Sequence, residues 1–195
     1  MRRIGIAGYM GAGKSLAAAA LAEQGALVVD ADAEAKELMN TAAPVQRELV
    51  RAFGASVVVG GRVDSVALGA MVFSDERYLR ALNAIVHPPL LQRLEKKLTS
   101  ETKRDVVLDA ALLPLWRRES LFDLLVWVHA PRAQRLERLL ARTRLERRDI
   151  ERRMDLQQQA LPEPSSAAWV RLVNDNGAER LRQSVVQLVN GAAHG

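Results

Sequence analysis

Residues 8–15 read Gly8-Tyr9-Met10-Gly11-Ala12-Gly13-Lys14-Ser15. They fill the pattern Gly-x-x-x-x-Gly-Lys-Ser, in which glycines let the backbone wrap phosphate oxygens with its N–H groups turned inward. The setting fits the pattern. Arg3–Gly8 is a short apolar run ending in glycine, a buried strand that feeds the loop. Lys14–Gln24 is rich in alanine and leucine, the strongest helix formers, and Gly25 stops it. Strand, loop and helix in that order bring a positive helix N-terminus to the phosphate. Lys14 is then placed to bridge the terminal phosphates of a nucleotide such as ATP, and Ser15 to offer its hydroxyl to Mg²⁺.

Further along, Ala26–Asp32 is a second buried strand ending in two aspartates. Residues 33–53 are helical with a turn around Thr41–Pro44, and residues 53–64 are turn-rich. From Ser65 to about Ser100 the apolar spacing is helical, with a break expected at His87-Pro88-Pro89 because proline restricts the residue before it. Arg104–Ala110 and Asp123–Ala130 are strands, and 131–160 is a long charged helical stretch. Residues 161–166 punctuate it, Trp169–Asp175 is a fifth strand, and 178–190 is an amphipathic helix before a tail, 191–195, expected to fray. Apolar runs alternating with helices predict an α/β fold, a five-stranded parallel sheet flanked by helices. Ligands on such sheets bind at the carboxyl ends of the strands, where the loop and the acids lie.

The chain has 195 residues, 49% of them apolar, which is enough for one domain with its own core. It has no cysteine, which excludes a disulfide framework and a thiolate metal site. No charged-then-apolar leader and no membrane-length apolar run is read, so a cytoplasmic protein without a membrane partner is expected. Net charge is +5. Nine arginines lie between Arg132 and Arg153, interleaved with Glu137, Glu146, Asp149, Glu151 and Asp155 at helical spacing. That run is either a solvated helix face or a flap that closes over phosphates. At 4% aromatic the chain is poor in stacking surface, so no nucleic acid is expected as partner, and Trp116, Trp127 and Trp169 are assigned to core or pocket lining.

Three acids stand where chemistry would need them. Strand alternation would put Asp30 and Asp32 on one side. One of them would face the terminal phosphate as the base or orienting acceptor for a hydroxyl nucleophile, and the other would cap the following helix. Asp32 is the one assigned to chemistry. Asp109 ends Val106-Val107-Leu108-Asp109 and resembles the acid that holds Mg²⁺ through water in many phosphate-loop proteins.

The loop and the Asp-x-Asp also resemble shikimate kinase, but that family's Phe-Arg pair and Gly-Gly-Gly turn are missing; Gly60-Gly61 is followed by Arg62. The chain as a whole resembles the dephospho-coenzyme A kinases. The resemblance rests on Val28-Val29-Asp30-Ala31-Asp32, Phe53-Gly54, Gly60-Gly61, Leu68, Val72-Phe73 and above all Leu82-Asn83-Ala84-Ile85-Val86-His87-Pro88. It continues through Leu112-Leu113, Arg138 and Arg142, Arg153 to Gln157, and Asn174–Gly177. It departs from the family at Leu16, usually Thr, at Asp64-Ser65, where an arginine is usual, and at Ala110–Leu115, where the family's proline before the paired leucines and its glutamate are missing.

The resemblance implies a phosphate-loop kinase fold spanning 1–195, with a helical substrate-binding insertion at about 62–100 and a lid at about 142–160. It implies transfer of the ATP γ-phosphate to the ribose 3′-hydroxyl of dephospho-coenzyme A, with Asp32 as base beside Lys14. ATP would be met by Gly8, Gly11, Ala12, Gly13, Lys14, Ser15, Leu16, Arg142 and Asn176. The substrate would be met by Asp30, Asp32, His87 and Leu112, and Mg²⁺ by Ser15 and Asp109. A monomer or weak oligomer is expected. Two alternatives are a shikimate-like or nucleoside kinase, and a nucleotide- or RNA-binding regulatory protein that keeps the loop without catalysis.

Overall fold

In the computed structural model, residues 1–191 are described, and the tail from 192 lies outside them. The strands are β1 (Arg3–Ala7), β2 (Leu27–Asp30), β3 (Val58–Val59), β4 (Arg62–Val63), β5 (Val106–Asp109), β6 (Leu124–His129) and β7 (Trp169–Val173). The helices are α1 (Lys14–Glu23), α2 (Ala31–Thr41), α3 (Ala43–Phe53), α4 (Ser65–Ser74), α5 (Glu76–Ser100), α6 (Arg132–Arg142), α7 (Arg147–Ala160) and α8 (Ala178–Gly191). A five-stranded parallel sheet runs in the order β2-β5-β1-β6-β7, as the alternating apolar runs predict. The chain divides into two compact units, Met1–Val29 with everything from Glu101 onward, and Asp30–Ser100.

The first unit is built around β1. Ile4, Ile6, Val107, Val126 and Val128 project from the strands onto Ala17, Ala18 and Leu21 of α1 and Leu181, Val185 and Val189 of α8. The alanines explain the composition of α1: without bulk beyond Cβ they let the helix lie close to both the sheet and α8. At the opposite end of the strands Arg2 is fastened. Its Nε donates to Asp105 Oδ2 at 2.9 Å, and its backbone N–H to Asp105 Oδ1 at 2.8 Å.

The second unit consists of α2–α5 and the β3–β4 hairpin, in which Val58 pairs with Val63. Two expectations change here. The second strand is shorter than Ala26–Asp32, because Asp30 turns the chain into α2 by accepting N–H bonds from Asp32 (2.8 Å) and Ala33 (3.0 Å). Asp32 therefore lies in a helix turn, and strand alternation does not set its direction. The break expected at His87-Pro88-Pro89 is also absent, and α5 runs through it. Val86, Leu90, Leu94 and Leu98 form a buried i,i+4 stripe. Four such side chains contribute about 1.5–3 kcal/mol each, enough to offset two interior prolines at about 3 kcal/mol each. The break falls instead at Asp75, whose Oδ1 accepts the Arg77 N–H at 2.8 Å.

Glu34 on α2 receives Arg93 Nε at 2.7 Å and also Lys97 Nζ, tying α2 to α5. Burial alone would raise its pKa, but the two cations hold it below the ordinary glutamate range. A lowered folded-state pKa stabilises above the ordinary value and is lost as pH falls through the lowered one. Glu34→Ala is therefore expected to cost about 1.5–3 kcal/mol at pH 7. Urea unfolding should show that difference shrinking as the pH drops below the ordinary glutamate value.

The charged helical stretch 131–160 consists of two helices, α6 and α7. The chain turns extended at Thr143 and α7 folds back on α6. The hairpin buries Leu136, Ile150 and Met154 together, a stripe that one straight helix would leave in water.

Candidate active site

Parallel register sets the site. Ile6 pairs with Asp109, so β1 and β5 end side by side and the loop after Ala7 begins next to the Asp109 carboxylate. Asp109 is 8% exposed. Ser15, in the first turn of α1, donates its hydroxyl to Asp109 Oδ2 at 2.7 Å. Two oxygen ligands at a phosphate loop suit Mg²⁺, which takes few protein ligands and keeps waters and phosphate oxygens for the rest. No cluster of three or more His, Cys, Asp or Glu able to hold a metal occurs among the described residues.

The loop is held from behind. Asn174, 4% exposed, donates Nδ2 to the Ala12 carbonyl at 2.7 Å. Arg138 donates Nη1 to the Gly11 carbonyl at 3.3 Å and Nη2 to the Asn174 carbonyl and to Gln134 Oε1, both at 3.0 Å. In a planar trans peptide the N–H points opposite to the carbonyl, so the Ala12 carbonyl on Asn174 turns the Gly13 N–H the other way. Ala17 N–H to Gly13 carbonyl, 3.0 Å, is the first rung of α1. The N–H groups of Lys14, Ser15 and Leu16 thus precede the ladder and point out of the helix N-terminus. Lys14 folds over the loop with Nζ 3.5 Å from the Tyr9 carbonyl.

A cavity of about 590 Å³ opens over this loop, within the range of ligand-sized pockets. Gly11 and Gly13–Leu16 line one side, Arg138 and Arg142 another, and Asn174 with Gly177 and Ala178 a third. Three cationic side chains and a helix N-terminus make it a site for an anion. Gly8 and Ala12 belong to the loop backbone but not to the lining. Asn174 rather than Asn176 borders the cavity; Asn176 is exposed and donates to Asp175.

The remaining expected residues are not in that lining. Asp30 is spent on the α2 cap and Asp32 is exposed in the next turn. His87 sits half-buried in α5, where burial pushes its imidazole below the ordinary histidine range. Leu112 is partly covered in the connection after β5. Sequence reasoning does not assign the loop-holding roles of Arg138 and Asn174. The signals are present: Arg138 and Arg142 are one helical turn apart, and Asn174 is the first polar residue after an apolar strand at the carboxyl edge.

The dephospho-CoA kinase family model matches residues 2–180. A dephospho-CoA kinase of Deinococcus radiodurans is 42% identical over 183 residues, 92% of this chain and 87% of the relative. A solved structure, TT1252 from Thermus thermophilus, superposes with a TM-score of 0.79 at 33% identity, covering 100% of this chain and 98% of the other. The dephospho-CoA kinase from Campylobacter jejuni, at 18% identity and a TM-score of 0.64 over 100% and 98% of the two chains, shows the same fold. With a match along nearly its whole length added to the loop, the strand-end acid and the arginine helix, this chain is a kinase and belongs to the dephospho-CoA kinase family.

Proposed function

We propose that this chain transfers the γ-phosphate of ATP to the ribose 3′-hydroxyl of dephospho-coenzyme A, the last step of coenzyme A synthesis. The observation that carries the reading is the anion cavity over the phosphate loop, with Lys14, Arg138 and Arg142 around it and Ser15 hydrogen-bonded to Asp109 at its edge. Family membership supplies the acceptor.

Phosphoryl transfer needs positioning and charge stabilisation more than covalent chemistry. The loop N–H groups from Gly13 to Leu16 orient the donor phosphates, and Lys14 and Arg142 neutralise charge on the group being transferred. Ser15 and Asp109 would hold Mg²⁺, which shields the β- and γ-phosphate oxygens when bound. Asp32 accepts the proton of the attacking hydroxyl. Asp30, His87 and Leu112 are assigned to the substrate side, and Asn176 with its turn to the adenine end. Arginine placement favours this reading over RNA binding. Arg135 is buried, Arg138 is on the loop, and Arg132 pairs with Asp155 at 2.8 Å, which leaves no continuous basic stripe on α6. A cytoplasmic enzyme working as a monomer or weak oligomer fits an ATP donor and a chain without cysteine. No described helix is long and apolar enough to cross a membrane.

The test is coupled ADP release with Mg-ATP and dephospho-coenzyme A, with shikimate and adenosine as parallel acceptors. Release with dephospho-coenzyme A alone is expected. Folded protein that binds ATP and releases no ADP with that acceptor overturns the proposal.

A further inference from the structure

Two loop residues that precede the phosphate-facing N–H groups are held by the α6–α7 hairpin. The Met10 N–H donates to Gln157 Oε1, near the end of α7, at 2.7 Å. The Met10 side chain packs into the hairpin's own cluster of Leu136, Ile150 and Met154. Beside it, the Tyr9 hydroxyl donates to the Leu161 carbonyl just after α7, at 3.0 Å and buried. The Tyr9 ring is itself fixed, edge-on to Trp127 with centroids 5.1 Å apart and beneath the Arg135 guanidinium at 4.8 Å.

We infer that Gln157 is a positioning residue of the phosphate loop, and that through Gln157 and Met10 the packing of α7 and the occupancy of the loop are coupled. The inference rests on reading residues 8–15 as the ATP phosphate site. The geometry gives the coupling its direction. A loop whose Met10 N–H is already engaged by Gln157 keeps the Tyr9–Met10 half of its backbone fixed, so the second half is presented to phosphate without reordering. Swinging α7 away must either break the Met10–Gln157 bond and strip Met10 from its cluster or pull the loop with it. By linkage, phosphate that stabilises the loop stabilises the docked hairpin by the same factor. Partial burial makes the bond count, because a shielded N–H left unpaired carries part of its desolvation cost.

The test uses the full chain, ATP without acceptor, and Gln157→Met, which keeps the side chain's length and removes the acceptor oxygen. Two quantities are read: ATP affinity by titration calorimetry, and tryptic cleavage within Arg142–Arg148 with and without ATP. In the unaltered protein ATP should slow cleavage several-fold. In Gln157→Met that protection should vanish and ATP should bind about tenfold more weakly, with the ligand-free melting temperature lowered by only about 2–4 °C. Tyr9→Phe, which loses only the bond to Leu161, should move both readouts the same way by less. Unchanged protection and affinity in Gln157→Met, or an unaltered protein that binds ATP without protection, overturns the coupling. An unaltered protein that does not bind ATP overturns the phosphate-loop reading itself.

Discussion

Asp32→Ala is expected to lower turnover by about 10²–10⁴-fold while ATP affinity stays within a few-fold. Only one of the two aspartates is open to this role. Asp30 is committed to structure, since its Oδ1 accepts both the Asp32 and the Ala33 N–H and starts α2. Asp32 makes its backbone contribution to that cap through its N–H, and its carboxylate stays exposed in the first turn. Removing it deletes the proposed proton acceptor without deleting a cap. Asp30→Ala should behave in the opposite way, costing about 1 kcal/mol of stability through the lost cap. Steady-state ADP release and ATP titration on the two variants separate the cases. Full turnover in Asp32→Ala would remove that residue from the mechanism.

Gly13→Ala is expected to be nearly as damaging, and through geometry rather than charge. Gly13 has φ +109°, a conformation that L side chains rarely adopt. A Cβ there would stand 2.5 Å from Asn174 Nδ2 and 2.9 Å from Leu181 Cδ2. Asn174 cannot give way without releasing the Ala12 carbonyl, and Leu181 lies in the core between α1 and α8. Backbone strain and overpacking together amount to about 2–6 kcal/mol. The same shift moves the Gly13 and Lys14 N–H groups off the phosphate. If only about 1.4 kcal/mol of binding free energy goes with them, ATP affinity falls about tenfold, and that is the smallest decrease expected. Gly25→Ala is the control. It too has positive φ, +92°, but nothing lies within 4 Å of its Cβ, so it should lose some stability and keep its ATP affinity. Calorimetric binding and thermal melting on both variants decide the matter, and Gly13→Ala with normal ATP affinity would refute the account of the loop.

What is legible in the sequence is local. The loop, its strand and its alanine helix are contiguous, and each segment's composition agrees with its neighbours'. The five strands show as short apolar runs because a parallel sheet covered on both faces leaves no polar alternation. Sequence and structure part where packing overrides a local rule. Pro88 and Pro89 stay inside α5 because the Val86–Leu98 stripe is buried. The second strand reads too long because a cap and a strand end look alike when both are aspartate. Arg138 on the Gly11 carbonyl, Asn174 on the Ala12 carbonyl and Gln157 on the Met10 N–H join residues more than a hundred positions apart. No spacing rule reaches that far.

The strand order has a consequence for how the chain is made. β1 leaves the ribosome before the other strands of its sheet, yet its two neighbours, β5 and β6, begin only at Val106 and Leu124. Arg3–Ala7 and the phosphate loop therefore emerge with nothing to pair against, while Asp30–Ser100, a continuous compact unit, is complete earlier. Synthesis from the N-terminus thus inverts the usual order, in which early segments fold first. The apolar Ile4-Gly5-Ile6 run waits without a partner strand until β5 and β6, its two neighbours in the sheet, have been made.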